Sequence, residues 1–181
     1  MAKLAVDQKM ETFNFDTPFE KGLDLATVAA GKKTVLLFLR YLGCTLCRLD
    51  MHLLREKYGE ITGAGGQLLV ALQSDPALVA RETASAPFPF TIICDPGQEL
   101  YRRFEIKPAK SKLALAGGKT LAKISQLKKY SFTHGEYEGD ELQLPACFVL
   151  DSSFTIRYAK YAKNLADIPG PEEMVKILEG L

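Results

Sequence analysis

The chain has 181 residues, 47% hydrophobic and 25% charged, the proportions of a globular protein, which argues against disorder and for one domain over 1–181. Its 23 Lys+Arg against 22 Asp+Glu leave a formal charge of +1, so no overall field favours nucleic acid or an anionic membrane as a partner. Four cysteines are too few for a disulfide-stapled secreted scaffold of this length.

The first ten residues carry Lys3, Asp7 and Lys9 without an unbroken apolar core, unlike a secretory leader. No later run approaches the roughly 20 apolar residues of a bilayer span. A cytoplasmic protein with no membrane contact is expected.

Taken in order, residues 1 to 33 read as an N-terminal addition, with a short strand in Thr12-Phe-Asn-Phe15 and a short helix or turn in Leu23–Val28. Thr34-Val-Leu-Leu-Phe-Leu39 lacks alternation, which predicts a central strand covered on both faces. From Cys44 the period becomes helical: Leu46, Leu49, Leu53, Leu54, Tyr58 and Ile61 form the apolar stripe, with Asp50, Arg55, Glu56 and Glu60 between them. That helix is expected to run to the glycines at 63, 65 and 66. Gln67–Leu72 predicts a second buried strand, and Ser74-Asp-Pro76 opens a helix to about Ser85. Strand, helix, strand, helix in that order implies a parallel pair with a right-handed crossover.

Pro87 to Cys94 leads into a third strand, Asp95-Pro-Gly97 turns it, and Gln98–Phe104 predicts a short helix. Lys107 to Gln143 reads as an inserted surface region with one amphipathic helix near Thr120–Lys129. Its lysines, at 110, 112, 119, 123, 128 and 129, are taken as a solvated face. Ala146–Leu150, the turn Asp151–Ser153 and Phe154–Ala159 form a hairpin pattern, with Pro145 at the head of its first strand. Met174, Ile177, Leu178 and Leu181 share one face of a last helix opened by Pro171.

Chemistry concentrates in Arg40-Tyr-Leu-Gly-Cys-Thr-Leu-Cys-Arg48. Exposed backbone N–H groups at a helix start stabilise a thiolate, so the pKa of Cys44 is expected to be lowered, with Arg40 and Arg48 adding to the effect and Tyr41 and Thr45 flanking it. Cys47 lies nearly one turn later on the same side, within reach of a small ring. Cys44 is therefore the expected nucleophile and Cys47 the resolving thiol. Zinc would need further ligands, yet no second close cysteine pair exists and His52 and His134 are not spaced as a motif; no metal is expected. Cys94 and Cys147 sit in apolar strand patterns and are assigned to the core.

Three sets of residues then resemble the peroxiredoxin-like branch of the AhpC/TSA antioxidant family, within the thioredoxin-like superfamily. They are Leu37–Arg40 with Gly43-Cys44 and Cys47-Arg48, Pro87–Phe90 with Cys94–Gly97, and Leu144–Asp151 with Ile156–Tyr158. The resemblance implies an α/β thioredoxin-like fold: a central mixed sheet flanked by helices, an N-terminal addition and an insertion before the late β-hairpin. It also implies a peroxidatic Cys44, a Cys47 that condenses with its sulfenic acid, and an external thiol reductant such as thioredoxin or glutathione, without an organic cofactor. Three positions depart from the family. Leu37 stands where peroxiredoxins carry Pro, Tyr41 where they carry Thr or Ser, and Pro145 where they carry Arg, with Arg40 as the candidate replacement. Pro145 instead resembles the cis-proline of thioredoxins. A thiol peroxidase acting on hydrogen peroxide or organic hydroperoxides is the leading expectation. A general dithiol-disulfide oxidoreductase and a thioredoxin-fold interaction protein without significant catalysis are the alternatives.

Overall fold

The computed structural model describes residues 3–181. In chain order its elements are β1 (Asn14–Phe15), β2 (Leu23–Asp24), α1 (Leu25–Val28), β3 (Lys33–Phe38), α2 (Thr45–Glu56), α3 (Tyr58–Gly63), β4 (Gly66–Leu72) and α4 (Pro76–Thr83). They continue with β5 (Thr91–Cys94), α5 (Glu99–Arg103), a 3-10 turn at Lys112–Leu115, α6 (Gly118–Leu127), β6 (Ala146–Leu150), β7 (Ile156–Tyr161) and α7 (Pro171–Glu179). Five strands form one mixed sheet in the order β5-β4-β3-β6-β7, with β3, β4 and β5 parallel and β6 and β7 antiparallel to their neighbours.

The unalternating apolar run of β3 has its expected cause. Val35, Leu37 and Leu39 pack on one side of the sheet with Met51 and Leu54 of α2, Val79 of α4 and Met174 and Leu178 of α7. Leu36 and Phe38 pack on the other with Phe13, Phe15, Leu25, Tyr101 and Phe104. The N-terminal addition thus closes the second face, and β1 and β2 form a separate two-stranded pair over it.

The long helix expected from Cys44 to the glycine cluster is instead two. Lys57 leaves helical geometry (φ −102°, ψ 6°) between α2 and α3, which lets Ile61 reach the core beside α7. Leu181 lies outside the packed face of α7 and is exposed. Within 107–143 only 112–115 and 118–127 are helical, and 131–139 run as an irregular strap. Among the described residues no helix is long and apolar enough to cross a membrane.

Candidate functional site

β3 delivers the site. Past Phe38 the chain keeps pairing with β4, since Leu39 N–H donates to Ala71 O at 3.0 Å and Gln73 N–H to Arg40 O at 2.7 Å. It then turns at 41–44, where Cys44 N–H donates to Tyr41 O. Leu42 N–H is held by Ser74 Oγ at 2.9 Å. The turn ends with Cys44 as the N-cap of α2, in extended geometry (φ −69°, ψ 119°), its Sγ accepting from Cys47 N–H at 3.4 Å. A sulfur thus takes the role that a Ser or Asp oxygen usually has at a helix start.

Arg40 Nη2 donates to Cys44 Sγ at 2.9 Å, and Nη1 binds Glu141 O. The Cys44 thiol is lowered to about 5, first by the hydrogen bond from the Cys47 side chain, then by the Arg40 charge and the Cys47 N–H, all against the cost of burial. Burial pushes the Cys47 thiol well up, and the Cys44 and Asp50 charges push it the same way. The pair is therefore split into a thiolate and a protonated thiol. Cys94 and Cys147 are also buried, which drives Cys94 up to about 12 and Cys147 higher still, so both are inert thiols.

The other residues singled out in the sequence take different places. Arg48 Nε donates to Leu42 O at 3.0 Å and Nη2 lies 3.7 Å from Glu82; its guanidinium braces the turn and does not bond Cys44. Thr45 is the first helical residue of α2. Tyr41 is buried and its hydroxyl lies 3.2 Å from His134 Nε2. His134 Nδ1 faces Gly135 O at 2.8 Å, which assigns the ring proton to Nδ1 and leaves Nε2 to accept from Tyr41 O–H. Pro145 is buried at the head of β6, with its carbonyl accepting from Ala162 N–H. Its peptide bond is trans, contrary to the thioredoxin-like expectation.

Three parts of the site were not read from the sequence. Asp50, placed there on the polar side of the helix, is buried with Lys123 Nζ at 2.6 Å, their side chains 15% and 11% exposed. Burial raises its carboxyl to about 6, with Lys123 opposing. Lys123 is accordingly not part of a solvated lysine face. It is three residues from Thr120, which also turns inward, while Leu121 and Ile124 of the same helix face solvent. Spacing had one clue to offer, since Asp50 follows Cys47 by three residues and so shares its helix face; nothing local marks Lys123 as its partner.

The third part is the strap. Gly135 N–H donates to Gly43 O at 2.8 Å, Glu138 accepts from Ser74 Oγ at 2.8 Å and Asp75 N–H at 3.1 Å, and Asp140 N–H donates to Gln73 Oε1 at 2.7 Å. A side chain at Gly43 would collide with the backbone of Glu136, so the glycine before Cys44 is required by this close approach. Next to this contact Cys44 is 1% exposed. Among the described residues no group of three or more His, Cys, Asp or Glu is arranged to hold a metal ion.

The sequence model of the AhpC/TSA family matches residues 6–159. No curated protein sequence matches the chain. Among solved structures it is similar to a thiol peroxidase from Chromobacterium violaceum, with a TM-score of 0.66 at 13% identity over 98% of this chain and 88% of that one. It is also similar to AhpC of Enterococcus faecalis (TM-score 0.67, 13% identity, 97% and 90% covered). A chain described as a thiol:disulfide interchange protein DsbE from Chlorobium tepidum gives 0.63 at 15% identity, over 98% and 100%.

Proposed function

The chain belongs to the AhpC/TSA family, and from that premise we propose that this oxidoreductase is a thiol peroxidase that reduces hydrogen peroxide or organic hydroperoxides through Cys44, with Cys47 resolving. The observation that carries the reading is the Arg40 guanidinium at 2.9 Å from Cys44 Sγ, on a thiol lowered to about 5. A thiolate held ionised at neutral pH beside a fixed cation is what nucleophilic attack on a peroxide needs.

The Cys44 thiolate attacks the terminal oxygen of ROOH. The S–O bond forms, the O–O bond breaks, and RO⁻ leaves to take a proton from solvent, leaving Cys44 as the sulfenic acid. Arg40 Nε is buried and without a partner, and it supplies a donor for the peroxide oxygens as charge develops on them. Cys47 then attacks the sulfenic sulfur; its proton leaves with the displaced hydroxide as water, and the disulfide closes. Two equivalents of an external thiol restore the pair. Tyr41 replaces the family's Thr or Ser without supplying its own hydroxyl to this step, because that hydroxyl is bonded to His134.

A dithiol-disulfide oxidoreductase is the second reading, favoured by the CxxC spacing. The burial of Cys44 supports the first, since a small peroxide needs far less room than a protein disulfide. Trapping decides between them: Cys47→Ser protein treated with one equivalent of peroxide is expected to accumulate a dimedone-reactive Cys44. If Cys44 stays unmodified while the wild-type dithiol exchanges rapidly with a protein disulfide, the second reading replaces the first.

A further inference from the structure

A groove of about 200 Å³ runs along the outer face of α2, lined by Leu42, Arg48, His52, Arg55, Phe88 and Phe132, with Glu82 among its walls. It begins at the turn that carries the dithiol, because Leu42 lies two residues before Cys44 and Arg48 directly follows Cys47. Arg48, His52 and Arg55 stand at i, i+4 and i+7 and so share one face of the helix.

The walls are aromatic and cationic. Arg55 stacks over Phe88, with its guanidinium carbon 4.5 Å from the ring centroid, and His52 meets the edges of Tyr130 and Phe132 at 4.8 and 5.6 Å. Arg55 Nη2 donates to the carbonyls of Ala86 and Pro87, while its Nε is buried with no partner. Arg48 gives its Nε to Leu42 O, and its Nη2 has one distant carboxylate, Glu82, at 3.7 Å. His52 is engaged by Glu56 at 3.3 Å, and Arg81 divides its contacts between Glu82 and Glu136. The groove therefore offers two guanidinium groups with donors to spare against one lining acid. From Arg48 to Arg55 the helix rises about 10.5 Å, seven residues at 1.5 Å each.

We propose that this groove binds the reductant of the dithiol, an anionic thiol of tripeptide size whose sulfur lies at the Leu42 end and whose carboxylate lies at Arg55. The proposal rests on Cys44 and Cys47 cycling through a disulfide. The bound thiolate attacks Cys44 Sγ; the Cys44–Cys47 bond breaks, Cys47 leaves as a thiolate and takes a proton from solvent. A second thiol attacks the ligand sulfur of the mixed disulfide, forming the free disulfide of the reductant and returning the Cys44 thiolate. Two thiols are oxidised and one protein disulfide is reduced.

The test uses full-length protein oxidised with diamide, so that it does not depend on peroxide. Reduction is followed with glutathione and with its ethyl ester, two thiols that differ in one carboxylate, at matched thiolate concentration. Glutathione is expected to show saturation and about two- to fivefold tighter binding than the ester, the size of one charged contact near a surface. Arg55→Met is expected to bring the glutathione-to-ester ratio towards one, and Glu82→Gln, which removes the opposing charge, to raise it. Equal behaviour of the two thiols, or a ratio indifferent to both substitutions, overturns the groove and leaves the dithiol reading standing. A protein in which diamide forms no Cys44–Cys47 disulfide overturns both. Slow reaction with peroxide, alongside a retained glutathione preference, overturns the peroxidase reading alone and supports the groove.

Discussion

Arg40→Met removes the cation at Cys44 while keeping much of the side-chain volume. A hydrogen bond to a charged group is worth about 1.5–3 kcal/mol, and one pH unit corresponds to about 1.36 kcal/mol. The variant's Cys44 should therefore titrate roughly one to two units above the native value of about 5. The sign follows from the direction: the thiolate exists above its pKa and is lost as pH falls through it, so the variant loses reactivity at a higher pH than the wild type. At pH 7 the thiolate would drop from about 99% to no less than roughly half, which costs only about twofold in rate. Loss of a positioned donor costs more, about 100-fold or beyond in comparable sites. The two effects separate in a pH profile of two reactions. Alkylation of Cys44 by iodoacetamide, read by mass spectrometry, should show only the shifted inflection and recover at high pH. Peroxide reduction should show the same shift and a depressed plateau. An unshifted inflection would refute the electrostatic account of Cys44. A peroxide plateau that recovers fully would leave Arg40 with ionisation alone.

Gly43→Ala drives a methyl group into the backbone of Glu136, so the strap should lift, stability should fall by about 1–3 kcal/mol, and Cys44 should be alkylated faster than in the wild type; unchanged accessibility would mean that the strap does not cover the sulfur. Lys123→Met leaves the Asp50 carboxylate buried without its partner and should destabilise by about 3–5 kcal/mol in urea melts, with much of the loss regained by Asp50→Leu in the same chain. Because the folded pKa of Asp50 is raised to about 6 from 3.8, its contribution to stability is present below about pH 4 and is lost as pH rises through about 6. Asp50→Asn should remove that slope from the pH dependence of unfolding.

The sheet could be read from the sequence wherever burial is two-sided. The unbroken Thr34–Leu39 run needs apolar neighbours above and below, and it has them. The junction at Gly43 and Cys44 was legible because a strand period gives way there to a helical one. Lys57 was not, since its non-helical geometry interrupts a stripe that continues through Tyr58 and Ile61. The insertion was the least legible part, and for a physical reason. Its strap is held by long-range polar contacts, such as Glu138 to Ser74 and Asp140 to Gln73, which leave no periodicity. In α6 the usual pattern is inverted, with Lys123 inside and Leu121 outside, so hydrophobicity assigns its faces the wrong way round. Arg40 was legible as a cation near the dithiol, whereas its bond to Cys44 and the alternative duty of Arg48 depend on how the 41–44 turn folds back.

The most direct measurement is stopped-flow mixing of the reduced protein with one equivalent of hydrogen peroxide, followed by mass spectrometry of the product. The account predicts consumption orders of magnitude faster than by an ordinary cysteine thiolate, with a Cys44–Cys47 disulfide as the product and with Cys94 and Cys147 still free. Consumption at the rate of an ordinary thiolate, or oxidation spread over all four cysteines, would contradict it.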